Sequence, residues 1–78
     1  MSQLGEAYEL AFLTDQWVWE RQLRVSDADE AVAMAKQALE TVVQDESPEL
    51  ACVTVLHGAR KLGVWDWIDG QPVWTPYR

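Results

Sequence analysis

The chain has 78 residues, 13 acids against 6 bases for a formal net charge of −7, and a single cysteine. One cysteine excludes an intrachain disulfide, and Cys52 with His57 are too few soft ligands for a Cys/His zinc site, which wants about four. The negative field repels phosphate backbones, so direct binding to nucleic acid is disfavoured; it suits a protein partner with a basic surface, or simply solubility.

The length is that of one domain, 1–78. A chain this short buries only roughly 60–65% of the surface its unfolded form exposes, so a second subunit or a partner is a natural source of added stability. No stretch reaches the ~20 apolar residues needed to span a bilayer. The opening MSQLGEAYEL has neither the basic nor the apolar region of a signal peptide, and a lone cysteine suits a reducing compartment. The expectation is a soluble cytoplasmic protein with no cofactor and no bound metal.

In chain order, AYELAFL (7–13) alternates, with Tyr8, Leu10 and Phe12 on one face, and reads as a half-buried strand. Thr14, Asp15 and Gln16 have turn chemistry. WVWERQLRV (17–25) alternates again: Trp17, Trp19, Arg21, Leu23 and Val25 share one face, and Val18, Glu20, Gln22 and Arg24 the other. The two runs predict an antiparallel hairpin. Ser26 or Asp27 then caps a helix, each with an acid three residues on. Apolar residues at 28, 31, 32, 35, 38, 39, 42 and 43 predict an amphipathic helix from Asp27 to Gln44. Its stripe is rich in alanine, leaving room for large side chains beneath. Pro48 stops it. LACVTVLH (50–57) reads as a buried strand, 58–61 as a turn, and 62–68 as a fourth strand. Asp69-Gly70 is a hairpin signal, and 73–77 return as a fifth strand, kept at an edge by Pro72 and Pro76. The predicted fold is α+β: one antiparallel sheet of about five strands in the order β-β-α-β-β-β, with the helix packed on one face.

For a two-residue Asp-Gly loop, Trp65 pairs with Trp74 and Trp67 with Pro72; for a four-residue loop, Trp67 pairs with Trp74, with the same parity. The three tryptophans then share one face of the hairpin, while Val64, Ile68 and Val73 share the other. A helix covers one face only, so two arrangements stay open. Either the tryptophans fill the core beneath the alanine stripe, or they face outward as interface anchors. Both leave some apolar sheet surface for a homodimer or a protein partner.

Chemistry is scarce. Cys52 and His57 are five apart on one strand and point to opposite faces, so they form no nucleophile–base pair. Ser26 is a cap, Ser2 and Ser47 lie at a terminus and in a loop, and no Ser/His/Asp arrangement emerges. Asp27-Ala28-Asp29-Glu30 lacks the glycine and the spaced glutamate of a calcium loop. The chain is read as not an enzyme. Its acids are better placed for docking: Asp27, Asp29 and Glu30 gather at the helix start, and Glu40, Asp45, Glu46 and Glu49 near its end. The second group opposes the helix dipole. Arg60 and Lys61, with Arg21 and Arg24, form a counterpatch. The candidate partner-binding residues are these seven acids with Trp65, Trp67 and Trp74.

From Ser26 to Tyr77 the chain runs helix, strand, then a terminal hairpin VWDWIDGQPVW (64–74) of aromatic-DG-aromatic type. In this it resembles small phage-encoded anti-CRISPR proteins that act on type I, Cascade-type complexes. That resemblance implies a short, acidic, non-enzymatic inhibitor that binds the crRNA-carrying backbone subunits and blocks target DNA. It carries over no individual site residue. The alternative is a small bacterial α+β module that homodimerises through its spare sheet face. Single-strand binding on the tryptophan face is a third reading, opposed by the net charge.

Overall fold

Alternation decides the strands. In the structure, a computed structural model that describes residues 5–77, β1 (Glu6–Thr14) buries Tyr8, Leu10, Phe12 and Thr14 on one side only. It lies between β2 (Val18–Val25) and β3 (Ala51–His57), antiparallel to both. β4 (Arg60–Ile68) and β5 (Gln71–Pro76) extend the sheet beyond β3, giving the order β2-β1-β3-β4-β5. With the helix α1 (Ala28–Glu46), this is the predicted β-β-α-β-β-β arrangement. The opening residues 1–4, including Ser2 and the first four of the ten residues read for a signal peptide, lie outside the described residues.

Of the two candidate caps, Asp27 is the one used. Its extended backbone (φ −155°, ψ 177°) lets its carboxylate accept the Glu30 N–H at 2.9 Å. Glu30 reaches back past Asp27 to Ser26, accepting from its N–H at 2.8 Å and from its hydroxyl at 3.0 Å. The helix also runs two residues further than predicted. Asp45 and Glu46 are poorly placed for the dipole, yet that cost is small beside a steric stop. The stop is Pro48, which bars helical backbone at the residue before it. Ser47 accordingly turns left-handed (φ 48°), and its N–H closes on the Val43 carbonyl at 2.9 Å.

Ala31, Ala35 and Leu39 form a fully buried line on the helix. They meet Leu10 and Phe12 of β1, Val53 and Val55 of β3, Val25 of β2 and Tyr8. Two alanines in that line bring the helix close to the sheet centre. The closeness leaves bulky side chains to fill the flanks, and Trp65, Trp67 and Trp74 pack there against the core. The tryptophans therefore lie on the helix side, the first of the two arrangements the sequence left open. Trp65 pairs with Trp74 and Trp67 with Pro72, and the loop is the two-residue Asp69-Gly70 turn with φ of 53° and 81°. The Trp65 and Trp74 rings are 5.2 Å apart and tilted, a favourable aromatic geometry. Trp65 Nε1 donates to the Val32 carbonyl at 2.9 Å.

The β3–β4 connection is tighter than expected. Arg60 and Lys61 belong to β4, and only Gly58 and Ala59 form the loop. Gly58 takes the positive φ (65°) that type II′ turns place at their first central position. Between Val55 and Leu56 the register slips, so that Val55 faces Gly63 while Leu56 faces Lys61, and Leu62 is the extra residue of a β-bulge.

Gly63 lies directly under Trp74. A Cβ there would come within 2.4 Å of Trp74 Cζ2 and 2.7 Å of the Thr75 carbonyl oxygen. Gly63→Ala is therefore expected to lower stability by about 1–3 kcal/mol, the usual cost of overpacking. Urea denaturation followed by circular dichroism should show a lower midpoint with an unchanged slope; an unchanged midpoint would refute the close fit.

Candidate functional site

Placing the tryptophan hairpin under the helix separates the predicted binding residues into two groups. Trp65, Trp67 and Trp74 are half-buried core flanks rather than an open aromatic face. The seven acids lie at the two ends of the helix and along its outer side. Asp27 and Glu30 are engaged in capping, though exposed. Asp29 is exposed in the first turn; Glu40 is half-exposed on the fourth. Asp45 and Glu46 end the helix and Glu49 follows in the loop, all three exposed.

Little positive charge of the chain itself meets these acids. Among the described residues the one contact within 4.0 Å between a basic side chain and a carboxylate joins His57 to Glu6, at 2.8 Å, and involves none of the seven acids. The last helical turn has no basic residue. The four cations read as one counterpatch are dispersed instead. Arg21 pairs with Leu10 and so shares the helix side of β2, whereas Arg24 pairs with Ala7 on the opposite side. Arg60 and Lys61 start β4, which β1 and β3 separate from β2. Lys61 holds its ammonium 5.6 Å over the Tyr77 ring, and Lys36 lies 5.8 Å over Trp65.

A feature absent from the predicted set lies at the C-terminal end of the helix. Trp17 and Trp19, with Val18, Val42 and Glu46, line a cleft of ≈ 320 Å³. Its walls come from the β1–β2 turn and the last two helical turns. Thr14 fixes the turn: its hydroxyl oxygen accepts from the Gln16 N–H at 3.1 Å and the Trp17 N–H at 3.0 Å, and its own N–H donates to the Trp17 carbonyl at 2.9 Å. Asp15 ties the turn to the loop after the helix, accepting from the Glu49 and Leu50 N–H groups at 3.1 and 3.2 Å. Trp17 Nε1 donates to Glu46 Oε1 at 2.7 Å. Buried Phe12 packs against both indoles, its ring 6.4 Å from that of Trp17 and 5.8 Å from that of Trp19. The sequence signal is the shared parity of Trp19 and Phe12 on paired strands; the helix end that closes the cleft is not readable, because the predicted helix stops at Gln44, short of Glu46.

The sheet face away from the helix has no second layer among the described residues. In register order it presents Val18, Leu13, Cys52, Asp66 and Val73 along one row, and Glu20, Ala11, Thr54, Val64 and Thr75 along the next. Val18 is 72% exposed, Ile68 48% and Leu13 43%.

Cys52 and His57 do point to opposite faces. His57 stacks on Tyr8, rings 4.4 Å apart, on the helix side. Burial, with the Glu6 and Asp27 carboxylates nearby, holds the Tyr8 phenol above its ordinary pKa. Cys52 sits on the open face across from Asp66. Burial and then the Asp66 charge push its thiol up, so the thiolate needed for nucleophilic chemistry is disfavoured. Among the described residues no three His, Cys, Asp or Glu side chains are grouped to hold a metal ion, and no helix is long and apolar enough to cross a membrane.

No family model, curated protein or solved structure matches this chain.

Cys52 offers a direct check of the open face. With its thiol pKa raised, labelling by a thiol–disulfide reagent at pH 8 should run slower than in the urea-unfolded chain. Asp66→Asn removes the neighbouring negative charge, lowers the thiol pKa and should speed labelling of the folded protein. Equal rates in wild type and variant would place the carboxylate elsewhere.

Proposed function

We propose that this chain is a non-enzymatic acidic binding protein that docks on the basic, nucleic-acid-holding surface of a protein partner and occludes it. In its most specific form the reading is an inhibitor of anti-CRISPR type, covering the DNA-binding groove of a type I surveillance complex. The supporting observation is the acid set of exposed Asp29, Asp45, Glu46 and Glu49 with half-exposed Glu40, which is left without ion pairs by the cations of the described chain. Opposed to a helix C-terminus, the last three weaken the fold locally; a partner's lysines and arginines would offset that repulsion. Complementary charge of this kind mainly steers association and sets its salt dependence.

The test is binding to, and inhibition of DNA loading by, a purified type I complex across a salt series. The expected result is affinity that falls steeply with salt. The triple reversal D45K/E46K/E49K should weaken binding by about tenfold or more, since like charges would then face each other. Unchanged affinity and inhibition in the reversed variant would end the acidic-docking reading.

A second reading has its own observation: the open sheet face carries exposed Leu13, Val18 and Ile68. Under it, two copies pack these faces together. Sedimentation across a concentration series distinguishes the readings. A dimer that Val18→Lys and Leu13→Glu dissociate supports self-assembly, and a monomer at all concentrations supports a heterologous partner.

A further inference from the structure

We infer that the cleft between Trp17, Trp19 and Glu46 is a receptor for an arginine side chain of the partner. The inference rests on the acidic-docking reading and names the contact that would anchor it.

The cleft joins the parts that guanidinium recognition requires. Two indoles offer aromatic surface, and Trp19 is 53% exposed although its ring lies 5.8 Å from that of buried Phe12. A planar guanidinium stacks on such rings and at the same time donates to a carboxylate, which a lysine ammonium does less well. Glu46 supplies that carboxylate on the cleft wall. One of its oxygens is held by the Trp17 indole, and no hydrogen bond from the described residues reaches the other, Oε2. Asp45 beside it and the unneutralised helix C-terminus add negative potential at the same end.

The contrast with the other aromatics sharpens the assignment. Trp65 has Lys36 over its ring, and Tyr77 has Lys61. Among the described residues no cation of the chain occupies the corresponding place at Trp17 or Trp19, although the charge there favours one. The site is also pre-organised: Thr14 and Asp15 lock the turn, and Glu46 and Phe12 orient the Trp17 ring. Little side-chain freedom remains to be lost on binding.

The test uses the full chain, an end-blocked hexa-arginine peptide and the matching hexalysine peptide, followed by two-dimensional NMR of backbone and indole N–H groups. The expected result is saturable shifts of the Trp17 and Trp19 indole resonances, with the arginine peptide binding more tightly. Glu46→Gln keeps an acceptor for the Trp17 indole but removes the charge, and should weaken binding by about tenfold. Trp19→Ala should weaken it by about threefold or more. The control Glu9→Gln, on the open sheet face and outside the cleft, should leave the indole shifts in place. Shifts confined to the helix surface around Asp29 and Glu40, or full affinity in Glu46→Gln, would overturn the cleft while leaving acidic docking intact. Equal affinity for the two peptides would overturn the assignment to arginine. No binding of either peptide at low salt would overturn the acidic-docking reading together with the cleft. Because Glu46→Gln preserves shape, the result stands even if Trp19→Ala destabilises the fold.

Discussion

A sheet of five strands has two faces, and the described chain has one helix with which to cover them. That helix spans 19 residues, about 28 Å at 1.5 Å per residue. It matches the sheet in length but not in width, since five strands at about 4.8 Å spacing extend further than one helix diameter. The rest of the structure answers this mismatch. The middle strands β1 and β3 receive the helix directly, through Leu10, Phe12, Val53 and Val55. The outer strands must close the flanks with their own side chains. On the β4–β5 side that is done by Trp65, Trp67 and Trp74, and on the β2 side by Trp17, Leu23 and Val25. Tryptophan abundance is therefore a packing solution first. Where the solution is incomplete, beside β2 at the helix C-terminus, it leaves an aromatic cleft.

The two flanks are closed differently, and the difference bears on binding. On the β4–β5 side the indoles are locked inward: Trp65 donates to a helix carbonyl, and Trp74 lies on a glycine with no room to spare. On the β2 side Trp17 donates to a carboxylate that remains exposed, and Trp19 keeps half its surface in water. Indoles of one sequence thus serve as core and as accessible surface, according to what each N–H finds as a partner.

Much of the fold was legible because its signals are local. Alternation in 7–13 and 17–25, the 3.6-residue spacing of Ala31, Ala35 and Leu39, and the Asp69-Gly70 turn each need only a few neighbouring residues to be read. The shared face of Trp65, Trp67 and Trp74 follows from parity alone, since any even loop length gives it; the Trp65–Trp74 pairing needs the two-residue loop that the structure has. What escaped were features that depend on distant groups. The helix ends where Pro48 forbids its continuation, not where the acids begin, so Glu46 was assigned to a loop and its contact with Trp17, 29 positions earlier, was hidden. The bulge at Leu62 has no strong sequence mark apart from Gly63, whose reason is the Trp74 ring on the next strand. The same limit applied to the basic residues: four cations close to one another in composition are divided between two faces and non-adjacent strands.

The strand order has a kinetic side as well. β1 with β2, and β3 with β4 and β5, are hairpins whose partners are close in sequence. Only the β1–β3 ladder joins residues far apart, such as Leu10 with Val55, across the whole helix. Forming it closes one long loop, whose entropy must be lost before its contacts return anything. The two hairpins are thus local units that can form early, and the docking of β1 on β3 beneath the alanine stripe is the step that makes the sheet continuous. In this chain the helix is both the cover of the core and the tether whose closure governs how fast a core can exist.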